Sequence, residues 1–234
     1  MRINKYIAQA GIASRRKADE LIVNGNVKVN GAVMKEPGYD VQEGDKVTVN
    51  GRQIEGEEKK QYFLINKPLG VVTTVEDDKD RLTVMDVVKD VDARLFPVGR
   101  LDYNTSGALI MTNDGELAYR IAHPKHEVYK TYRAKVAGVL SNERAARLRR
   151  GVDIGGFKTA PAKVNIIKGM KGCTVVEISI REGRNRQVRK MFAAVGNPVQ
   201  ELERVSIGEV RLGHLKPGHY RKLTKEEIEY LQNC

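Results

Sequence analysis

The sequence predicts an α+β protein in two parts, a small N-terminal module followed by a larger domain. Three observations carry that prediction. Helically spaced apolar residues near the N-terminus give way to short alternating strands around Asn30-Gly31. A polar stretch, residues 51–60, holds two glycines and little to bury, and reads as a linker. Beyond it strands and helices follow one another without regular βαβ alternation or a G-x-G-x-x-G loop, which argues against a nucleotide-binding doubly wound sheet.

In residues 1–50, Ile3, Ile7 and Ala10 have helical spacing and Gly11 stops the helix. Ser14 can cap a second helix whose inner face is Ala18, Leu21 and Ile22, ended by Asn24-Gly25. Val27 and Val29 alternate into Asn30-Gly31, a strong hairpin signal, and residues 32–34 return. Pro37-Gly38 breaks the chain before a last strand at 46–49. In the domain at 61–234, strands are expected at 62–66, 71–74, 108–112, 130–136, 162–168, 174–180 and 208–212. Helices are expected at 116–122, 142–150, 186–195 and 225–232, bounded by Pro124, Ser141 and Gly151, and Gly196.

The chain has 234 residues, enough for a core without disulfides or metals, and a net charge of +11 that is unevenly spread. Lys and Arg outnumber Asp and Glu by 24 to 11 in residues 120–234, against 11 to 9 in residues 1–60 and 6 to 10 in 61–119. Such asymmetry points to a polyanion partner, and with no amphipathic anchor or long apolar run, nucleic acid is favoured over membrane. Cys173 and Cys234 are far apart, with no CxxC and no signal peptide, so a reducing cytoplasm is the expected compartment. His123 and His126 flank a proline with no third ligand nearby, so no metal site is expected and both read as surface or RNA-facing groups.

The most informative segment is Phe96-Pro97-Val98-Gly99-Arg100-Leu101-Asp102-Tyr103-Asn104-Thr105-Ser106-Gly107. It sets one carboxylate, Asp102, two positions from an arginine in a Gly-bounded loop ahead of a buried strand, a common setting for a catalytic group. Gly-Arg-Leu-Asp followed by Thr-Ser-Gly closely resembles the catalytic motif of pseudouridine synthases. The resemblance is greatest to the ribosomal RNA enzymes of the RsuA family, which carry an N-terminal S4 RNA-binding domain, and among them to the large-subunit branch. Residues 1–50 resemble that S4 domain, and the basic first turn of its second helix, Arg15, Arg16 and Lys17, sits where free N–H groups attract an anion such as RNA phosphate. The family fold is a mixed, largely antiparallel sheet flanked by helices, and the family reaction needs no cofactor.

The resemblance makes Asp102 the nucleophile. A carboxylate held charged against a base needs a cationic partner. Val188, Met191, Phe192 and Val195 define the core face of the helix at 186–195, placing Arg189 at its border and Lys190 on the water side. This segment resembles the third family motif, whose arginine pairs with the aspartate, and the position carries over to Arg189. Lys130-Thr131-Tyr132 resembles the second motif, whose tyrosine stacks on the target uracil; Tyr132 is the matching position and Tyr129 its rival. By the same analogy Arg100 fills the gap left by the flipped base. Arg184 and Arg186 are further candidates for RNA contact. Asn66-Lys67-Pro68-Leu69-Gly70 resembles the entry motif of the catalytic domain, with a structural role and with Lys67 as an RNA candidate. The expected partner is ribosomal RNA, 23S over 16S, alone or in a ribosome assembly intermediate, and the expected state is a monomer. Three rivals are weaker. A non-catalytic S4 protein leaves the three motifs unexplained, a glycoside hydrolase wants a second carboxylate, and a methyltransferase wants a Gly-rich nucleotide loop.

Overall fold

The computed structural model describes residues 1–54 and 58–234, so part of the expected linker, residues 55–57, lies outside the described residues. The chain divides into two compact units, one made mainly of residues 1–61 and the other mainly of 62–234. In the first, α1 (Ile3–Gln9) and α2 (Arg15–Val23) cover a four-stranded sheet of order β2-β1-β3-β4. Its strands are β1 (Val27–Val29), β2 (Ala32–Met34), β3 (Val47–Val49) and β4 (Arg52–Gln53).

Local chemistry sets these boundaries. The Ser14 hydroxyl accepts from the Lys17 amide and caps α2, and Ile3, Ile7, Ala18, Ile22, Val27 and Val47 close the core. Asn30 and Gly31 both take positive φ (52° and 85°), the geometry of a two-residue hairpin turn, and Val29 pairs with Ala32. The same device recurs at Asn50-Gly51 (φ 51° and 79°), where Val49 pairs with Arg52. Residues 51–54 therefore belong to the small sheet and not to a linker, and Ile54 is buried in its core.

The second unit carries a nine-stranded sheet. Its main path is β13 (Tyr220–Lys222), β5 (Tyr62–Lys67), β7 (Ser106–Thr112), β11 (Val199–Ile207), β8 (Lys130–Ala137), β10 (Cys173–Ile180) and β9 (Lys163–Met170). β6 (Phe96–Pro97) and β12 (Val210–Arg211) pair off this path, with β7 and β11. All the pairings are antiparallel except that of β7 with β11 at the centre of the sheet. Helices α3 (Val84–Val87), α4 (Gly115–Ala122), α5 (Asn142–Arg150), α6 (Gln187–Ala194) and α7 (Lys225–Gln232) complete it. One core packs α5 and α6 on β8 and β10, and a second packs α4 and α7 on β5 and β7.

Three strand expectations need correction. Residues 71–74 form no strand: Gly70 turns at φ 75° and Val72 makes only an isolated bridge to Thr83. Of 208–212 only Val210–Arg211 is strand, because Gly208 turns the chain at φ 54°. The central strand β11 has no counterpart among the expected elements. Bulges against β8, between Val199 and Glu201 and between Arg204 and Ser206, break its alternation.

Candidate active site

The loop from Gly99 to Thr105 enters β7, and its backbone is tied down residue by residue. Gly99 takes φ 75°, and Thr105 donates its amide to Asp102 O at 3.0 Å to close a turn. The Thr73 hydroxyl donates to Leu101 O at 2.8 Å and accepts from the Leu101 amide at 3.2 Å. Gly70 N–H donates to Tyr103 O at 3.0 Å, Arg189 Nη2 to Asn104 O at 2.6 Å, and Lys67 Nζ to Thr105 O at 3.0 Å. Five consecutive carbonyls, 101 to 105, thus each accept a hydrogen bond, which fixes the half-buried Asp102 side chain in the middle of the run. A reacting carboxylate gains from such rigidity, since misplacement by an ångström is costly in rate.

The glycine of Thr-Ser-Gly has a separate cause. Gly107 sits at φ 108°, where a Cβ would stand 2.2 Å from Arg204 O and 2.7 Å from Arg204 N. Only glycine allows β7 and β11 to meet in parallel directly behind the Asp102 loop.

Two cations attract Asp102. Lys67, fully buried, also donates to Pro68 O at 2.9 Å; burial drives its ammonium down to about 8, an effect that Asp102 partly offsets. Sequence made Lys67 an RNA candidate within a segment of structural role; its ammonium is buried on Pro68 O and Thr105 O, away from solvent. Arg189, on α6, is lowered by burial and by Arg186 and raised by Asp102. The direct Arg189–Asp102 pair expected from sequence is not formed: among the described residues no ion pair within 4.0 Å joins them. The guanidinium instead spans Asn104 O and Val199 O (3.3 Å), so it acts on Asp102 through the field and through the loop backbone. Lys190, the next residue, is exposed, as its helix face predicts.

Beside the loop lies a cavity of about 160 Å³, lined by Val98, Tyr132, Val188 and Leu202 among others. Seven cations reach it, Arg100, Lys130, Arg181, Arg184, Arg186, Arg189 and Arg204, and no acidic residue does among the described ones. Tyr132 is half-buried on β8; Tyr129 lies outside this lining, packed by Lys163 and Arg181 at 4.4 and 5.3 Å from its ring. Arg100 and Arg186 are exposed, and Arg184, also exposed, lies over the Phe157 ring at 3.5 Å. Arg186 takes φ 52° as the residue preceding α6, so the helix starts at Gln187, one residue later than expected. A non-glycine residue held in that region marks a constrained site. In the other unit Arg15 and Arg16 are exposed on the first turn of α2, while Lys17 is held by Glu20 at 2.7 Å.

Lys130 and Arg204 were not singled out from sequence. Lys130 stands on the Tyr132 face of β8, donates to Ile121 O at 3.2 Å, and is pushed down to about 8 by burial and by Arg204. Arg204 sits on the strand that sequence reasoning missed.

Tyr132 and Arg189 both line this cavity, whereas the Asp102 loop contributes Gly99 and Arg100 to the wall and not Asp102 itself. A cation-lined space with a tyrosine wall, bordered by a clamped loop, is suited to chemistry on a nucleotide taken out of its stack. Comparison with known proteins gives the family. Residues 61–194 match the RNA pseudouridylate synthase family and residues 1–47 the S4 domain. The chain is 47% identical over 233 residues to ribosomal large subunit pseudouridine synthase B of Bacillus subtilis, covering 99% of this chain and 95% of that protein. It is 41% identical to an RNA pseudouridine synthase of Aquifex aeolicus, covering 99% and 93%. A solved pseudouridylate synthase structure superposes with TM-score 0.69 at 34% identity, covering 99% of both chains. The chain belongs to the RNA pseudouridine synthases, with an S4 domain ahead of the catalytic domain.

Proposed function

We propose that this chain converts one uridine of 23S ribosomal RNA to pseudouridine, alone or within an assembling ribosomal particle. The five-carbonyl clamp on the Asp102 loop carries this reading, together with the likeness to a large-subunit synthase. Asp102 acts as the nucleophile at C1′ of the target, which leaves the RNA stack to enter the cavity. Tyr132 is the platform on which the detached uracil stacks and turns. Lys67 and Arg189, which both feel the Asp102 charge, hold its loop in place. Arg100, planar and exposed at the mouth, fills the vacated position in the RNA, and Arg184 and Arg186 meet the backbone there. The reaction is an isomerisation that moves the sugar bond from N1 to C5 without gain of atoms or electrons, so the protein groups suffice.

Residues 1–50 add affinity through Arg15 and Arg16, working as a monomer in the cytoplasm. Pseudouridine mapping of ribosomal RNA from cells lacking the protein tests the proposal. One 23S uridine left unmodified is expected. Loss of a 16S pseudouridine would move the substrate to the small subunit, and an unchanged map would leave an RNA-binding protein without this catalysis.

A further inference from the structure

The cavity holds a cation that the reaction scheme above does not use. Arg204, on β11, is 4% exposed. Its Nε donates to Ala108 O at 2.7 Å, which ties it to β7, but its Nη2 is buried without a hydrogen-bond partner among the described residues. The guanidinium lies 6.0 Å from the centre of the Tyr132 ring. Lys130 shares the cavity and feels Arg204 as a like charge. Arg204 is buried and Lys130 half-buried, two like charges that only Cys234 partly offsets at Lys130. A buried guanidinium edge without a partner, in a space that no described acid lines, is unfavourable unless a ligand compensates it.

The ligand's chemistry follows from place and size. Arg100, Arg184 and Arg186 are exposed and available to phosphates at the mouth, whereas Arg204 is at the buried wall beside the ring that receives the base. A space of about 160 Å³ admits a pyrimidine. We infer that Arg204 Nη2 hydrogen-bonds a carbonyl oxygen of the flipped uracil and offsets the negative charge that gathers on the base as its N1–C1′ bond breaks. The electron pair of that bond stays with the base, spread over N1, O2 and O4, while C1′ bonds to the Asp102 carboxylate. When C5 attacks C1′ the carboxylate leaves, C5 gives up its proton and N1 takes one, so the isomer is reached in balance. Arg204 is then a second recognition element for uracil, aimed at where charge develops. This inference rests on the reading of the cavity as a uracil site.

The test uses the full chain and a synthetic RNA stem-loop carrying the uridine located by the mapping above, with oxygen, 2-thio or 4-thio at that position. If wild type fails to isomerise the unmodified stem-loop, the proposed function itself fails. Given that turnover, Arg204→Gln should slow single-turnover isomerisation by about 10²–10³-fold, the usual loss for one preorganised donor to a developing charge. RNA affinity should stay within about threefold, because the contact forms with one base and not with the backbone. Sulfur at the contacted oxygen should slow wild type by roughly tenfold and Arg204→Gln by less than about twofold, the non-additivity of a shared contact. Arg204→Lys, which keeps the charge and most of the packing, should recover part of the rate. If Arg204→Gln does not fold, the wild-type arm still decides, since equal rates on all three RNAs would overturn the inference. Losses that simply add for both thio positions would also overturn it. So would non-additivity seen instead with a methylphosphonate at the target phosphate, which would make the ligand a phosphate.

Discussion

Thr73→Val removes one hydroxyl and keeps the side-chain shape, and the Asp102 loop should register it strongly. The Thr73 hydroxyl serves both backbone groups of Leu101, donating at 2.8 Å and accepting at 3.2 Å. Leu101 is 6% exposed, so water cannot readily replace either bond. An unsatisfied buried polar group costs about 1–3 kcal/mol. With partial relaxation of the loop, the pair amounts to about 2–4 kcal/mol. At roughly 2–4 °C per kcal/mol for a domain of this size, the catalytic unit should melt about 4–16 °C lower. Relaxation moves Asp102, the next residue, and a displacement near 1 Å costs on the order of 10²-fold in rate. Differential scanning fluorimetry and single-turnover isomerisation measure the two effects, and Thr73→Ser should recover both. A Thr73→Val protein with wild-type melting and rate would refute the argument that this clamp positions the carboxylate.

Other substitutions probe the same architecture. Gly107→Ala should destabilise by about 2–5 kcal/mol, from overpacking and the left-handed backbone, because its Cβ would stand 2.2 Å from Arg204 O; urea unfolding with an unchanged midpoint would contradict this. Arg189→Lys should lose far more activity than Lys190→Ala, since a single ammonium cannot span Asn104 O and Val199 O; similar kcat values would undo the assignment. Lys67 and Lys130 both titrate near 8, so kcat/KM should fall as pH rises through about 8 and the site loses positive charge. Folding stability should move the other way between about 8 and 10.5, because the folded state releases these protons before the unfolded state does. A rate flat to pH 9.5 would show that neither ammonium matters.

How much was legible in the sequence follows from what each segment is made of. The α5 and α7 boundaries were readable because a Ser or Thr cap and clean apolar spacing act locally; both helices span the expected residues. The hairpin at Asn30-Gly31 is readable for the same reason, whereas the identical signal at Asn50-Gly51 is masked by the polar stretch it opens. Strand β11 was illegible: two bulges shift its register, and a buried arginine stands where an apolar residue would mark the inner face. Arg204 was missed with it. Sequence placed Asp102, Tyr132 and Arg189 near one site through motif order, and helix periodicity put Arg189 at a half-buried border. It could not show that Arg189 holds the loop carbonyl at Asn104, because tertiary geometry alone decides whether a guanidinium reaches a carboxylate or the backbone beside it.

Asp102 as the group that carries the chemistry is the central proposal for this chain. Wild type and Asp102→Asn, purified alike, can be compared on 23S ribosomal RNA labelled with tritium at uracil C5, where each isomerisation releases one tritium to solvent. Asparagine keeps the size and the clamped backbone and removes only the charge, so RNA affinity should stay within a few-fold while tritium release falls to background. Release by Asp102→Asn at a rate approaching wild type, beyond traces from deamidation, would remove Asp102 from the chemistry.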